Sequence, residues 1–135
     1  MMSLEQFSPL IGRWAISGEA EGTTRYRFAE GKRFLFQDFD ILMGTHRHAG
    51  LEVIGHLHPF GGEPTPEIWS RAYTFNSGMT LDYVYEMEGL RLTIWGGRKG
   101  SPSRMQGLFH PDGRNFEASW EWPGGGYSVV GKRLE

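Results

Sequence analysis

Alternation of apolar and polar residues is the clearest feature of the chain. In residues 115–122, Phe, Ala, Trp and Trp take every second position, and polar residues take the positions between them. Residues 80–87 and 90–94 repeat this pattern with Leu, Tyr, Tyr and Met, and then with Leu, Leu and Ile. A period of two places alternate side chains on opposite faces of a sheet. The pattern therefore predicts half-buried β-strands.

Turn-forming residues interrupt these runs at regular intervals. Gly, Pro, Asn, Asp and Ser cluster at the breaks, among them 21–22, 61–64 and 111–113. A spacing of roughly 8–12 residues between breaks is typical of an antiparallel sandwich or barrel. Helical periodicity is confined to residues 2–8, where Ser3 is a candidate N-cap, so we expect at most a short helical turn there. About ten strands are predicted, at residues 11–20, 24–29, 32–42, 47–58, 66–75, 79–87, 90–98, 103–110, 114–122 and 126–134.

Closure of the sheet follows from the number of strands. An open sheet of ten strands leaves two unpaired edges that invite aggregation, and a barrel removes both edges. We therefore predict that residues 1–135 form one all-β domain, a single antiparallel up-and-down β-barrel of about ten strands. A barrel of this size has room inside for side chains and one small ligand. Aromatic residues make up 14% of the chain and suit the lining of such an interior.

Composition and charge exclude several classes of partner and site. The formal net charge of -2 argues against a nucleic-acid partner, which requires a clustered basic surface. The absence of cysteine excludes disulfide bonds, thiol catalysis and cysteine-ligated metals. No targeting segment is visible, and no apolar run approaches the ~20 residues that span a bilayer. We expect a soluble, cytoplasmic protein with no membrane insertion.

Four sequence blocks carry a resemblance to a known family. The sequence LIGRW at 10–14 places a Gly-x-Trp motif at the start of the first predicted strand. With GKRFL at 31–35, GLEVIG at 50–55 and Trp-Glu at 120–121, it resembles a bacterial lipocalin-like, calycin-type family of unassigned function, over about 11–134. The resemblance implies a barrel in which the tryptophan packs across the closed end and an arginine covers it. It implies no reaction and no cofactor.

A second resemblance brings in haem. The nitrobindins are ten-stranded haem-binding barrels that also begin with a Gly-x-Trp strand, and this chain is similar to them in length. The resemblance implies a haem-ligating histidine close to the C-terminus. Here the last histidine is His110, and residues 125–135 contain none. We therefore expect no cofactor, with a haem-binding barrel as an alternative.

A metal site is a further alternative. His46 and His48 are separated by one residue, and a strand would direct both to the same face. With Glu52 they match the spacing His-x-His-x3-Glu of cupins, whose side chains bind Zn²⁺ or Fe²⁺. Against a site, Gly44 and Gly50 flank the two histidines at a predicted turn, and a second glycine-framed half is missing. We predict no metal and retain these three residues as candidates.

Arg71 is the predicted polar anchor of the interior. It lies among the aromatic residues of 69–75, and a buried arginine could bind a ligand carboxylate with two hydrogen bonds. We predict that the barrel binds a small hydrophobic or amphipathic molecule, held by Arg71 and an aromatic lining. The lining is predicted to consist of Trp14, Phe34, Phe36, Trp69, Tyr73, Tyr83, Tyr85, Trp95, Phe109 and Trp120.

The same interior could instead hold a catalytic acid. An enzyme of this type would combine Glu52 and Arg71 with Tyr83 or Tyr85. No pattern in the chain singles out such a reaction.

Two further hypotheses concern the orientation of Asp38 and Asp40 and the role of the outer strands. Asp38 and Asp40 could point inward as acids of raised pKa, or pair on the outer face with Arg27 or Arg33. A filled barrel that forms a homodimer through its outer strands and binds nothing small is a third hypothesis.

Overall fold

Short antiparallel strands make up most of the computed structural model, which describes residues 3–135. A 3-10 helix at Glu5–Leu10 precedes the strands. The strands are β1 Gly12–Gly18, β2 Glu21–Phe28, β3 Phe34–Met43, β4 His46–His56, β5 Ile68–Thr74, β6 Thr80–Glu88, β7 Arg91–Gly96, β8 Arg104–Phe109, β9 Asn115–Trp122 and β10 Gly125–Arg133. Each strand pairs antiparallel with its neighbours in sequence, and β10 pairs with β1. The predicted all-β class and closed up-and-down barrel are confirmed.

Two local predictions need correction. The helical turn lies at Glu5–Leu10, and Leu4 occupies its N-cap without a side-chain hydrogen bond, so Ser3 does not cap it. Residues 1 and 2 lie outside the described part of the chain. The predicted break at 21–22 lies inside β2. Gly22 has φ +150°, and a Cβ there would collide with the Asp40 carbonyl oxygen of β3, so this glycine permits close strand contact.

The 3-10 helix closes one end of the barrel. Leu4, Phe7 and Leu10 are fully buried beneath it. The Trp14 indole N–H donates a 2.9 Å hydrogen bond to the Leu10 carbonyl, which attaches the helix to β1. We refer to this region, the 3-10 helix with the rings of Trp14, Phe109 and Phe116, as the sealed end. Its aromatic side chains are buried, so the barrel is closed at this end.

Trp14 has the role in the sealed end that the resemblance implied. Its ring meets Phe109 and Phe116 edge-on, with centroids 5.5 and 5.1 Å away. The Arg133 guanidinium lies 4.3 Å above the Trp14 ring centroid and donates to the Ile11 carbonyl. An arginine therefore covers the tryptophan, as expected.

Asp38 and Asp40 lie on the outer face of β3. Asp38 accepts from Arg27 at 3.0 Å, and Asp40 accepts from Arg47 at 2.8 Å, in pairs open to solvent. The hypothesis that these acids point inward is wrong, because strand alternation turns Gln37, and not its neighbour Asp38, to the interior.

Within residues 3–135, no helix has both the length and the apolar character needed to cross a membrane.

Candidate ligand cavity

The interior contains a cavity of about 340 Å³ between the sealed end and the opposite mouth. Apolar and aromatic side chains provide most of its wall. At the mouth, the lining residues Met79 and Leu81 are 44% and 41% exposed, so the cavity is open to solvent there. Small residues on inward positions leave the space empty. These are Ala20, Thr24, Ala72, Thr74, Gly107 and Ala118.

Among residues 3–135, Glu52 is the one Asp or Glu whose side chain lines this wall. It projects inward from β4 and is only 3% exposed. Its Oε2 accepts a 2.6 Å hydrogen bond from the Ser70 hydroxyl. Its Oε1 accepts from the Tyr85 hydroxyl at 2.6 Å and from Gln37 Nε2 at 2.5 Å. Three polar partners therefore surround the carboxyl group, as a buried polar group requires.

Two further contacts inside the barrel fix the orientation of Gln37 and Tyr85. The Thr24 hydroxyl donates to Gln37 Oε1 at 2.7 Å, which leaves the amide nitrogen of Gln37 pointing at Glu52. The Tyr85 ring packs against Phe7 of the sealed end, with centroids 6.1 Å apart. The polar cluster of Thr24, Gln37, Glu52, Ser70 and Tyr85 thus forms the floor of the cavity. We refer to it as the polar floor.

Burial changes the ionisation of these groups. Desolvation raises the pKa of Glu52 and outweighs the three hydrogen bonds, which lower it. Desolvation, with a smaller contribution from the Glu52 charge, raises the pKa of Tyr83 to about 12 and raises those of Tyr26 and Tyr85 further. The tyrosines therefore remain neutral donors near pH 7. A carboxyl group in this setting can anchor a ligand or transfer a proton.

The predicted ligand residues divide between the two faces of the sheet. Tyr83, Tyr85, Phe109 and Trp120 line the cavity. Trp14 lies below the cavity in the sealed end, 1% exposed. The remaining predicted residues do not line the cavity, because strand alternation turns them to the outer face. They are Phe34, Phe36, Trp69, Arg71, Tyr73 and Trp95.

Arg71 does not occupy the position predicted for it. Its guanidinium forms two hydrogen bonds to the Asp82 carboxylate, at 2.7 and 3.1 Å, on the exposed face of β5 and β6. β5 directs Ser70, Ala72 and Thr74 inward instead. The prediction followed the aromatic residues of this strand, whereas the small residues mark its inner face.

The metal candidates are spread along β4. His46 is exposed, His48 lies near the mouth, and Glu52 lies at the polar floor. Glu52 lies four positions after His48, which is about 13 Å along a strand. Across residues 3–135, no group of three or more His, Cys, Asp or Glu side chains is arranged to hold a metal ion.

Several polar-floor residues were absent from the predicted set. Thr24, Gln37 and Ser70 are short or neutral side chains, and nothing in their local sequence distinguishes an inward polar residue from an outward one. Glu52 does carry a signal, because it is a lone charge within the apolar run GLEVIG. A charge on the buried face of such a strand needs partners from neighbouring strands.

A larger depression of about 680 Å³ lies on the outer surface, across β8, β9 and β10. None of its polar side chains is buried, so it lacks the fixed polar groups of the interior cavity.

Two comparisons with known proteins found no match. No family model matches the chain, and no curated protein matches it. The closed ten-stranded antiparallel barrel is consistent with a calycin-type architecture. The geometry of the cavity therefore carries the functional argument.

Proposed function

We propose that this protein is a lipocalin-like barrel that binds a small hydrophobic or amphipathic molecule in its cavity. The observation that carries the proposal is a solvent-open, largely apolar cavity of about 340 Å³ that ends on one buried carboxyl group. Ligand pockets have volumes of roughly 300–1,000 Å³, apolar walls and a few fixed polar groups. The cavity meets all three criteria.

Energetics also favour an occupant. Binding of an apolar ligand removes apolar surface of both the ligand and the cavity wall from contact with water. A ligand ring buried against Tyr83 and Trp120, whose own rings lie 5.7 Å apart, would contribute about 1.5–3 kcal/mol through area alone. Micromolar affinity corresponds to about 8 kcal/mol, so several such contacts are needed.

A neutral fluorescent dye tests the proposal. Prodan, a naphthalene derivative without a formal charge, changes its emission on entering an apolar site. We expect saturable binding to the wild-type protein and a loss of at least tenfold in affinity for Ala72→Phe, because Ala72 lines the cavity beside Glu52. Circular dichroism would establish that the variant retains its β-sheet.

Ala49→Phe is the matched control. Ala49 lies on the outer face of β4, opposite Asp40, so the same added ring does not enter the cavity. We expect this variant to bind prodan as the wild type does. Absence of saturable binding to the wild type, or equal binding to both variants, would contradict an interior site.

A further inference from the structure

Among the described residues of the cavity wall, no lysine or arginine faces Glu52, and the one histidine, His48, lies near the mouth. Of the described residues, the titratable side chains in the wall are Tyr26 of β2, His48 and Glu52 of β4, Tyr83 and Tyr85 of β6, and Tyr127 of β10. Arg, Lys and Asp are absent from this described lining. Glu52 therefore has no cationic partner in the wall.

The polar floor presents three hydrogen-bond donors to Glu52, but burial without a nearby cation still disfavours its ionised form. Ser70, Tyr85 and Gln37 all donate toward its two oxygens. A carboxylate offers about four lone-pair sites, so a donor from a ligand can be accommodated beside the three protein donors. Hydrogen bonds from neutral groups also leave the net charge uncompensated in a buried position.

Three classes of ligand headgroup can be compared at this position. A ligand carboxylate would be repelled by Glu52, with no arginine present to bind it. A neutral hydroxyl could donate to the carboxyl group but would bring no positive charge. A protonated amine would supply both a donor and a positive charge, which favours the ionised carboxylate in a charge-assisted hydrogen bond.

From this comparison, and resting on the function proposed above, we infer that the ligand is a small amphipathic amine whose ammonium group pairs with Glu52. The distance from His48 near the mouth to Glu52, about 13 Å along the strand, accommodates an aryl or alkyl tail. Trp120 and Tyr83 provide the aromatic wall against which that tail packs. The sequence predicted a ligand carboxylate bound to Arg71, whereas this inference places a ligand of the opposite charge at Glu52.

A matched set of three probes tests the inference by isothermal titration calorimetry at pH 8. The probes are 4-phenylbutylamine, 4-phenylbutan-1-ol and 4-phenylbutanoate, which share one tail and differ in headgroup charge. We expect the amine to bind wild type at least tenfold more tightly than either of the others. The ranking uses the wild-type protein, so it does not depend on the folding of any variant.

Glu52→Gln removes the charge and keeps the shape of the side chain. We expect it to reduce amine affinity at least tenfold and to change alcohol affinity less than threefold. Glu117→Gln removes the same charge from the exposed face of β9 and should leave the ranking unchanged. This control separates the local pairing from a general effect of net charge.

The outcomes distinguish this inference from the proposed function. Equal or tighter binding of the alcohol or the carboxylate, or binding of prodan with none of the three probes, overturns the amine and leaves an interior binding site. An undiminished affinity of Glu52→Gln for the amine also overturns it. Failure of prodan and all three probes to bind overturns both proposals.

Discussion

The two halves of the barrel interior follow the same alternating pattern and differ in the size of the inward side chains. At the sealed end, the Trp14 ring meets Phe109 and Phe116 edge-on, and the three rings fill the space between strands. Toward the mouth, residues such as Ala72 and Ala118 occupy equivalent inward positions and leave a cavity. Hydrophobic alternation therefore determines which side chains enter the barrel, and their volume determines whether the barrel is filled or hollow.

Tyr85 belongs to both halves. Its ring packs on Phe7 of the sealed end, and its hydroxyl donates to Glu52 of the polar floor. The close-packed sealed end thus supports the buried carboxyl group of the polar floor. Rigid support of this kind is what positions a binding group accurately.

Truncation at the sealed end should produce the largest loss of stability. Trp14→Ala removes a side chain that is almost completely buried and is expected to lower the free energy of unfolding by about 3–5 kcal/mol. Urea denaturation of purified protein measures this change. Trp122→Ala provides the control, because Trp122 is 41% exposed and should lose less than about 1 kcal/mol. Equal losses for the two variants would contradict the division into sealed and open halves.

The residue shared by both halves should have an intermediate effect. Tyr85→Phe keeps the ring on Phe7 and removes one donor to Glu52, so we expect a loss of about 1–3 kcal/mol in urea denaturation. Tyr83→Phe is the matched control, since Tyr83 lines the same cavity and the donors to Glu52 are Gln37, Ser70 and Tyr85. A smaller loss for Tyr85→Phe than for Tyr83→Phe would show that the polar floor is not coupled to the sealed end.

The polar floor should also make stability depend on pH. The folded-state pKa of Glu52 is raised above its ordinary value of 4.5, so the folded protein binds this proton more tightly than the unfolded chain does. Its contribution is fully present below pH 4.5 and is lost as the pH rises through the folded-state pKa. The stability of unliganded wild type relative to Glu52→Gln should fall over that window, by at most about 1.4 kcal/mol per pH unit. Urea denaturation of both proteins across this range measures the difference, and a constant or rising difference would contradict the assignment.

The strands were predictable because each one repeats a local pattern. The segment 115–122 alternates strictly, and its predicted and observed bounds, 114–122 and Asn115–Trp122, nearly coincide. Gly22 was misassigned because a glycine that permits close strand contact and one that forms a turn look alike in sequence.

The site was less predictable because its contacts join distant parts of the chain. Glu52 meets Gln37, Ser70 and Tyr85 from three other strands, and only the barrel register brings them together. The orientation of Arg71 also depends on a neighbouring strand, so local sequence did not reveal it. Alternation gives the period of β5, but the face that turns inward depends on Asp82 of the next strand and on the small residues between.

Methionine methyl groups offer the most direct measurement of where a ligand binds. Met43, Met79 and Met105 line the cavity, whereas Met87 packs outside it. In protein labelled with ¹³C at the methionine methyls, titration with prodan should shift the NMR signals of the three lining methionines and leave Met87 unchanged. Unchanged signals for all three at saturating dye, or a shift confined to Met87, would contradict a ligand cavity inside the barrel.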